Sequence, residues 1–333
     1  MKRSLTRKIT GVTPYFISLA SLIFAGQFLY HTIEGSLSTN NILWIMLTLL
    51  ISILVFVGLR SEIRMVRKIT LKPADYRFSV LAKSFFVVVS SALATYYFTA
   101  FFNTTTIFSA SLICVIYTYL FPENQPEAYS GTVGGMIGAY LCGDWTVAFT
   151  TAIVTGFVFL LFKPYFLGVG GRGGSIPYVG TTLAVRMIFQ LVPRSGTPIP
   201  LNFIFPSSLM IIFIAFLTYT LHAKGILTIV RAAMILVFLS EILIPANYAP
   251  LITAAFAGSV VGMSTTERVE DYKHLLLVSI IASLLFIPAF HILDGIGGKL
   301  GILCLISYYA SSGLQLIARS FVKTKEIKPL DIL

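Results

Sequence analysis

Charged residues are scarce in this sequence: they make up 11% of its 333 residues, against 56% for hydrophobic residues. A soluble domain usually carries about 25% charged residues, so the scarcity excludes an ordinary water-soluble domain. Apolar runs of roughly 15–20 residues follow one another along nearly the whole chain, which is typical of helices that cross a membrane. No alternation of apolar and polar residues with a period of two is evident, so the pattern disfavours an outer-membrane β-barrel.

Residue patterns for metals, cofactors and catalysis are also missing. The three cysteines, Cys114, Cys142 and Cys304, lie apart within apolar segments, and the four histidines are equally scattered. There is no Cys or His spacing typical of zinc or of a redox pair, no HExxH motif and no GxSxG elbow. The sequence therefore predicts no cofactor and no metal, and it disfavours a membrane enzyme. The net charge of +11 would suggest nucleic acid for a soluble protein, but basic cytoplasmic loops explain it here, and no nucleic-acid partner is predicted.

Twelve apolar segments are predicted to form helices. They cover residues 14–31, 41–59, 79–101, 104–121, 129–143, 145–163, 178–192, 203–221, 225–243, 250–264, 274–292 and 299–318. The predicted fold is therefore an all-α polytopic membrane protein with about twelve transmembrane segments.

The distribution of Lys and Arg predicts the orientation of these segments. With the N-terminus in the cytoplasm, 19 of the 24 basic residues fall on the cytoplasmic side and only Arg194 and Lys299 fall outside. This asymmetry predicts that both termini are cytoplasmic, in an integral protein of the bacterial inner (plasma) membrane. The first apolar segment is long and lacks a clear cleavage site, so it is predicted to be an uncleaved helix. The basic loop 60–77 is interpreted as a positive-inside loop or as a regulatory surface.

A short motif occurs twice, 127 residues apart. Residues 130–136 read SGTVGGM and residues 257–263 read AGSVVGM. The same offset aligns GxGGRxG at 168–174 with GxGGKxG at 295–301 without a gap. A weaker match aligns the Pro-x-Asn of residues 122–124 with that of residues 245–247, at an offset of 123. Two glycine patterns at one offset, with a basic residue kept in register, indicate an internal repeat.

The offset corresponds to five predicted segments, and an odd number of spans reverses the direction of the second copy. The sequence thus predicts a 5+5 inverted repeat with two N-terminal extra helices, which is a common construction of secondary transporters and of several channels. Four regions follow: an N-terminal two-helix addition with the basic loop, a first repeat, a second inverted repeat and a cytoplasmic tail, over residues 1–78, 79–200, 201–318 and 319–333.

The repeated helices at 129–143 and 250–264 are short, rich in glycine and preceded by proline. Short, interrupted segments at matching places in two halves favour a transport site. The predicted substrate pathway consists of Asn124, Tyr129, Ser130, Gly131, Thr132, Gly135, Asn247, Gly258, Ser259 and Gly262. The alternative is that the small residues only let helices pack closely.

Two further sets of residues are candidates for gating the pathway and for coupling transport to a cation or a proton. Gly171, Arg172, Gly298 and Lys299 are predicted to form gating loops, with a tight turn and a snorkelling cation as the alternative. Glu127 and Glu241 are candidates for binding a coupling cation or proton, with a solvated carboxylate at a helix end as the alternative.

The functional hypothesis is a membrane transporter for a small polar or anionic solute, acting between the paired short helices. Its partners would be this solute and the lipid bilayer, and a homo-oligomer is compatible with the sequence. Two alternatives stay open: a passive channel of the same architecture, and a non-transporting scaffold or assembly subunit.

Overall fold

The computed structural model describes residues 20, 22–37, 41–69, 78–138, 141 and 143–326. These residues form twelve helices and no strand, which confirms the all-helical prediction. In chain order the helices are α1 (22–37), α2 (Ile42–Ile69), α3 (Phe78–Phe102), α4 (Thr106–Leu120), α5 (Gln125–Gly134), α6 (Trp145–Phe162), α7 (Arg172–Thr182), α8 (Leu201–Ala223), α9 (Ile229–Leu243), α10 (Ala249–Gly262), α11 (Tyr272–Ala289) and α12 (Lys299–Glu326).

Six of the described helices, α2, α3, α6, α8, α11 and α12, are long and apolar enough to cross a membrane. The chain thus has the character of a helical membrane protein. The others are shorter. With 10 residues, α5 rises about 15 Å at 1.5 Å per residue, against a hydrocarbon core of about 30 Å. That twelve segments each span the membrane therefore stays a prediction.

Several helices begin or end at residues that differ from the predicted boundaries, among them α5 and α7. The segment predicted at 129–143 is α5, which starts at Gln125 with a proline in its first turn and ends at Gly134. Beyond it, the Gly138 N–H donates to the Gly295 carbonyl over 3.0 Å, a bond that replaces helical pairing. The segment predicted at 178–192 is α7, which starts earlier and continues into a π-helical turn at Leu183–Ile188.

Three sequence predictions concern residues that the structure describes only in part. The start of the first apolar segment, residues 14–19, lies outside the described residues. So do residues 70–77 of the predicted basic loop and 327–333 of the predicted tail. The first part of that loop is helical, because α2 continues to Ile69.

The helix contacts follow the same scheme in two parts of the chain. The helix α3 packs on α4, α5 and α6, and α8 packs on α9, α10 and α11. Between these two groups, α4 packs on α9 and α7 packs on α12, while α2 lies along α12. Buried residues make up 72% of the apolar stretch of α12, compared with 28% in α2 and α8, so α12 is a central helix.

The pair α4 and α9 is antiparallel. At one end, the Thr105 hydroxyl before α4 donates to the Glu241 carboxylate near the end of α9, over 2.6 Å. At the other end, Arg231 near the start of α9 donates to the Thr118 carbonyl over 2.8 Å and stacks over the Tyr119 ring. We call the two ends of the molecule the Glu241 end and the Thr118 end.

Candidate functional site

The repeated glycines of α5 and α10 lie against neighbouring helix backbones. A Cβ atom on Gly262 would lie 2.6 Å from the Ala215 carbonyl oxygen of α8, and one on Gly135 would overlap the Ala92 carbonyl of α3. Gly131 and Gly258 meet α3 and α8 in the same way, one turn earlier. These four residues therefore let each short helix touch the first helix of its group, in the manner of small-residue packing in membranes.

The hydroxyl groups predicted along the pathway bind the protein backbone. Thr132 Oγ1 donates to the Tyr129 carbonyl over 3.0 Å, and Ser259 Oγ donates to the Phe256 carbonyl over 2.8 Å. The two bonds are equivalent under the offset of 127. Ser130 Oγ donates to the Gly173 carbonyl of α7 over 2.9 Å. All three side chains are buried, so their hydroxyls stabilise helix and loop geometry.

Arg172 and Lys299 each hold their own glycine loop. The Arg172 guanidinium donates to the carbonyls of residues 163 and 165, both over 2.6 Å. The Lys299 ammonium donates to the carbonyls of residues 290 and 292, over 2.8 and 3.0 Å. The acceptors again differ by 127 positions. Each cation therefore satisfies carbonyls where the chain leaves α6 or α11, which would otherwise lack partners at the helix end.

The glycines preceding these cations turn the chain and allow α7 and α12 to cross. Gly171 and Gly298 have φ of 91° and 85°, which side chains rarely adopt. A Cβ on Gly171 would lie 2.5 Å from the Gly301 carbonyl oxygen, and one on Gly298 would lie 2.5 Å from the Tyr178 nitrogen. The N-terminal turns of the two helices are therefore in backbone contact.

The C-terminal ends of α5 and α10 stop against the same glycine loops. The Val133 carbonyl of α5 faces Gly297, and the Val261 carbonyl of α10 faces Gly170. Past these ends, the Gly138 N–H donates to the Gly295 carbonyl, and the Thr265 N–H donates to the Gly168 carbonyl over 2.9 Å. Four helix ends and two loops thus meet in the middle of the fold.

A cavity of about 450 Å³ opens beside this meeting point. Its lining residues come from the starts of α4 and α12, from α5 and α10, and from three loops: Thr106, Ile107, Tyr129, Val133, Met136, Gly138, Gly196, Thr197, Thr253, Phe256, Phe290, His291, Asp294, Gly295, Ile296, Gly297, Gly298, Lys299, Leu300 and Gly301. Small-molecule sites commonly have volumes of about 300–1,000 Å³, so a small solute fits.

The two ends of the cavity differ. Thr106 and Thr253 lie at its Glu241 end, since α4 begins there and α10 follows α9 there. Residues 297–301 lie where α12 begins and where it contacts α7. The cavity lining therefore runs from the Glu241 end to the α7–α12 crossing.

Of the residues predicted for the pathway and gating loops, Tyr129, Gly298 and Lys299 line this cavity. Gly131, Gly135, Gly258 and Gly262 pack between helices, and Gly171 and Arg172 belong to the loop on the other side of the crossing. Asn124 is buried at the start of α5, whereas Asn247 is exposed.

Neither of the two predicted coupling carboxylates is among the residues that line the cavity. Glu127 is 4% exposed, and its carboxylate lies 3.0 Å from the Lys163 ammonium and accepts a 2.9 Å bond from the Ser84 hydroxyl. Glu241 lies at the molecular edge beside Thr105. Glu127 thus belongs to a buried polar cluster.

Several cavity residues were not predicted from the sequence. Asp294, Gly295 and Gly297 precede Lys299, the cation that the internal repeat keeps in register, and the DGIGGK run carried enough signal to include them. Thr106 and Thr197 come from other segments and share no pattern with the repeat. In the described ranges, no group of three or more His, Cys, Asp or Glu side chains is placed to hold a metal ion.

Comparison of the chain with models of known protein families, with curated proteins and with solved structures finds no match.

Proposed function

We propose that this protein is a membrane transporter of the carrier type for a small polar or anionic solute. The observation that carries the proposal is the cavity between the two helix groups, whose lining includes Thr106 and Thr253 and residues 297–301 beside the α7–α12 crossing. We infer that it opens toward the Glu241 end and that the crossing closes it at the other. A passive channel needs a continuous path, so a cavity that ends at a packed crossing favours a carrier.

The proposal rests on an inverted repeat of α3–α7 and α8–α12. Support comes from helix lengths, which run 25, 15, 10, 18 and 11 residues in one group and 23, 15, 14, 18 and 28 in the other. Further support comes from contacts that recur at the offset of 127, including the cation–carbonyl bonds and the glycine turns. Asp144 and Asp271, also 127 positions apart, cap α6 and α11.

Contacts at the helix starts support opposite directions for the two groups. Near the start of α3, Lys83 pairs with Glu123, which follows α4 at the Thr118 end. Near the start of α8, the Phe203 ring packs edge-on against Tyr248, which follows α9 at the Glu241 end. Most Lys and Arg residues fall on the side of the termini, which is the cytoplasmic side in membrane proteins. We therefore infer a plasma-membrane protein with cytoplasmic termini, whose cavity faces the non-cytoplasmic side.

An inverted repeat provides a mechanism for opening to the other side. If the two groups exchanged conformations, a second cavity would open at the Thr118 end and the present one would close. The positions 127 away predict its lining: Phe256 for Tyr129, Met263 for Met136, Thr265 for Gly138 and Arg172 for Lys299. The glycine crossing would be the common boundary of both cavities, since Gly174 and Gly301 are equivalent under the repeat.

The direct test is uptake by the purified full chain in liposomes, using radiolabelled lactate, inorganic phosphate, glycine and urea as probes. We expect uptake of at least one probe above empty liposomes. Thr253→Trp, which fills the cavity, should abolish this uptake, whereas Leu209→Trp on the exposed surface of α8 should not. No uptake of any probe, or equal uptake by the Thr253 variant, would contradict the proposal.

A further inference from the structure

The two helix starts that border the cavity have counterparts at the opposite end of the molecule. At the Glu241 end, Thr106 at the start of α4 and Thr253 of α10 both line the cavity. At the Thr118 end the matching helices are α9 and α5. There the Thr228 hydroxyl before α9 donates to the Gln125 side-chain carbonyl at the start of α5, over 2.6 Å. Helix starts that face the cavity at one end are therefore bonded to each other at the other end.

Thr228 does not use its hydroxyl as the equivalent threonine does. Thr105 and Thr228 directly precede α4 and α9, which both have 15 residues and lie 123 positions apart. The Thr105 hydroxyl accepts the Phe108 N–H over 3.0 Å and so caps its own helix. The Thr228 hydroxyl makes no such cap bond. Its bond to Gln125 thus serves the contact between α9 and α5, and not the stability of α9.

A second contact covers the glycine loop at the Thr118 end. Arg268 Nε donates to the Leu167 carbonyl over 2.9 Å, and its stem lies over the next residue, since a Cβ on Gly168 would be 3.1 Å from the Arg268 Cγ. The counterparts of these loop residues at the offset of 127 are residues 294 and 295, which line the cavity. The counterpart of Arg268 is Leu141, whose side chain has no donor. The loop is therefore covered by a cation at one end and borders a cavity at the other.

Both contacts are of a kind that can separate and form again. Thr228 is exposed, and Gln125 and Arg268 are partly exposed, so water can replace each partner when a bond breaks. Because of this exchange, one such hydrogen bond shifts an equilibrium only about two- to tenfold. The glycine crossing of α7 and α12 differs, because backbone packs there on backbone. A change of access is therefore expected at the polar contacts near the end of the molecule.

We propose that the Thr228–Gln125 and Arg268–Leu167 bonds form a gate, which closes the solute pathway at the Thr118 end and separates when that end opens. The gate rests on the proposed transport function for its role, and it adds the contacts that must break when access changes sides. In an inverted repeat, each end is expected to pass through the arrangement that its counterpart shows. The Thr118 end would then lose these two bonds as the start of α9 moves away from the start of α5.

A buried valine reports on this gate. Val260 of α10 is fully buried, and its counterpart at the offset of 127 is Val133, which lines the cavity. Val260→Cys, in a background without the three native cysteines, should therefore react with a maleimide only when the Thr118 end opens. The measurement is the rate of this reaction in the purified full chain in detergent, without any solute. Val87→Cys on α3 is the control for general loosening, because Val87 is equally buried and is matched to no cavity residue.

A matched pair of threonine variants removes and restores the first bond. Thr228→Val should raise the reaction rate of Val260→Cys about two- to tenfold, and Thr228→Ser, which keeps the hydroxyl, should leave it unchanged. Thr220→Val is the control at the same end, because the Thr220 hydroxyl lies 3.3 Å from the Tyr272 hydroxyl within the α8–α11 pair. An unchanged rate in Thr228→Val, or an equal rise in Thr220→Val or at Val87→Cys, would overturn the gate.

The second contact and the transport function are tested separately. Arg268→Met, added to Thr228→Val, should raise the reaction rate of Val260→Cys further, and the absence of a further rise would remove Arg268 from the gate. Uptake by the unaltered protein in liposomes reports on transport. A reaction rate that responds to Thr228→Val, without uptake of any probe, would uphold the gate and contradict transport. Uptake without such a response would uphold transport and overturn the gate.

Discussion

Gly174 and Gly301 face each other where α7 crosses α12, and a Cβ atom on Gly174 would lie 2.7 Å from the Gly301 Cα. The two residues are 127 positions apart, so the crossing joins equivalent points of the two helix groups. Each group contributes one glycine loop, one cation and one short helix end to the same central region. Gly301 also lines the cavity, so the contact between these glycines lies beside it.

The crossing should tolerate no side chain. We expect Gly301→Ala or Gly174→Ala to destabilise the protein by about 1–3 kcal/mol or more, because the added methyl meets backbone that cannot yield easily. The measurement is the thermal unfolding midpoint of the detergent-purified protein. Gly26→Ala is the control, since nothing lies within 4 Å of a Cβ there. Equal midpoints for Gly301→Ala and Gly26→Ala would rule out a tight crossing.

The two loop cations should be interchangeable but not dispensable. Arg172→Met and Lys299→Met each remove two charge-assisted hydrogen bonds to carbonyls. We expect each to lower stability by at least about 1.5–3 kcal/mol. Arg172→Lys and Lys299→Arg should retain most of the stability of the unaltered protein, because each introduces the cation that is found in the equivalent loop.

Thermal unfolding of the four variants gives this comparison, with Lys224→Met at the exposed end of α8 as control. The prediction is wrong if the methionine variants unfold together with the control. It is also wrong if the swapped cations are as damaging as methionine, since the loops would then not share one geometry.

The carboxylate of Glu127 should matter more than that of Glu123, although both pair with a lysine. Glu127 is buried and bound by Lys163 and Ser84, whereas the Glu123 side chain is 82% exposed. Glu127→Gln leaves the Lys163 ammonium without its ion pair and should cost about 1–3 kcal/mol. Glu123→Gln should change stability by less than about 1 kcal/mol, as for surface pairs.

Chemical unfolding of the two variants in detergent measures the difference between these carboxylates. Similar losses in both would show that burial of the cluster carries no energetic weight. A loss only in Glu127→Gln would identify the Ser84–Glu127–Lys163 cluster as a stabilising contact between α3, α5 and the end of α6.

Alternating access predicts opposite labelling of two equivalent methionines. Met136 lines the cavity, whereas its counterpart Met263 does not. In a background without Cys114, Cys142 and Cys304, Met136→Cys should react with a membrane-impermeant maleimide from the side that the cavity faces. Met263→Cys should react only from the opposite side, and transported solute should shift the two rates in opposite directions.

A labelling experiment in oriented vesicles separates a carrier from a channel. Simultaneous rapid labelling of both positions from one side would indicate a continuous path and contradict a carrier. Labelling of neither position in any condition would contradict the assignment of the cavity to a transport pathway.

The sequence alone determined the helical character of the chain and the repeated glycine motifs. Composition and apolar run length are local properties, and the all-helical prediction from them is confirmed. The offset of 127 was also found from the sequence, because the two copies of each glycine motif are similar over a few consecutive residues. Gly298, Lys299 and Tyr129 were named because they belong to repeated or short segments, and all three line the cavity.

Tertiary structure decided which role each residue has. The helix that starts at Gln125 ends at Gly134 because Gly138 finds its acceptor at Gly295, which is remote in sequence. Gly135 and Gly262 have a packing role because the fold places α3 and α8 directly beside them. The residues that line the cavity come together only when loops and helices from both groups meet. Hydrogen-bond satisfaction is a property of the folded neighbourhood, and no pattern within a single segment encodes it.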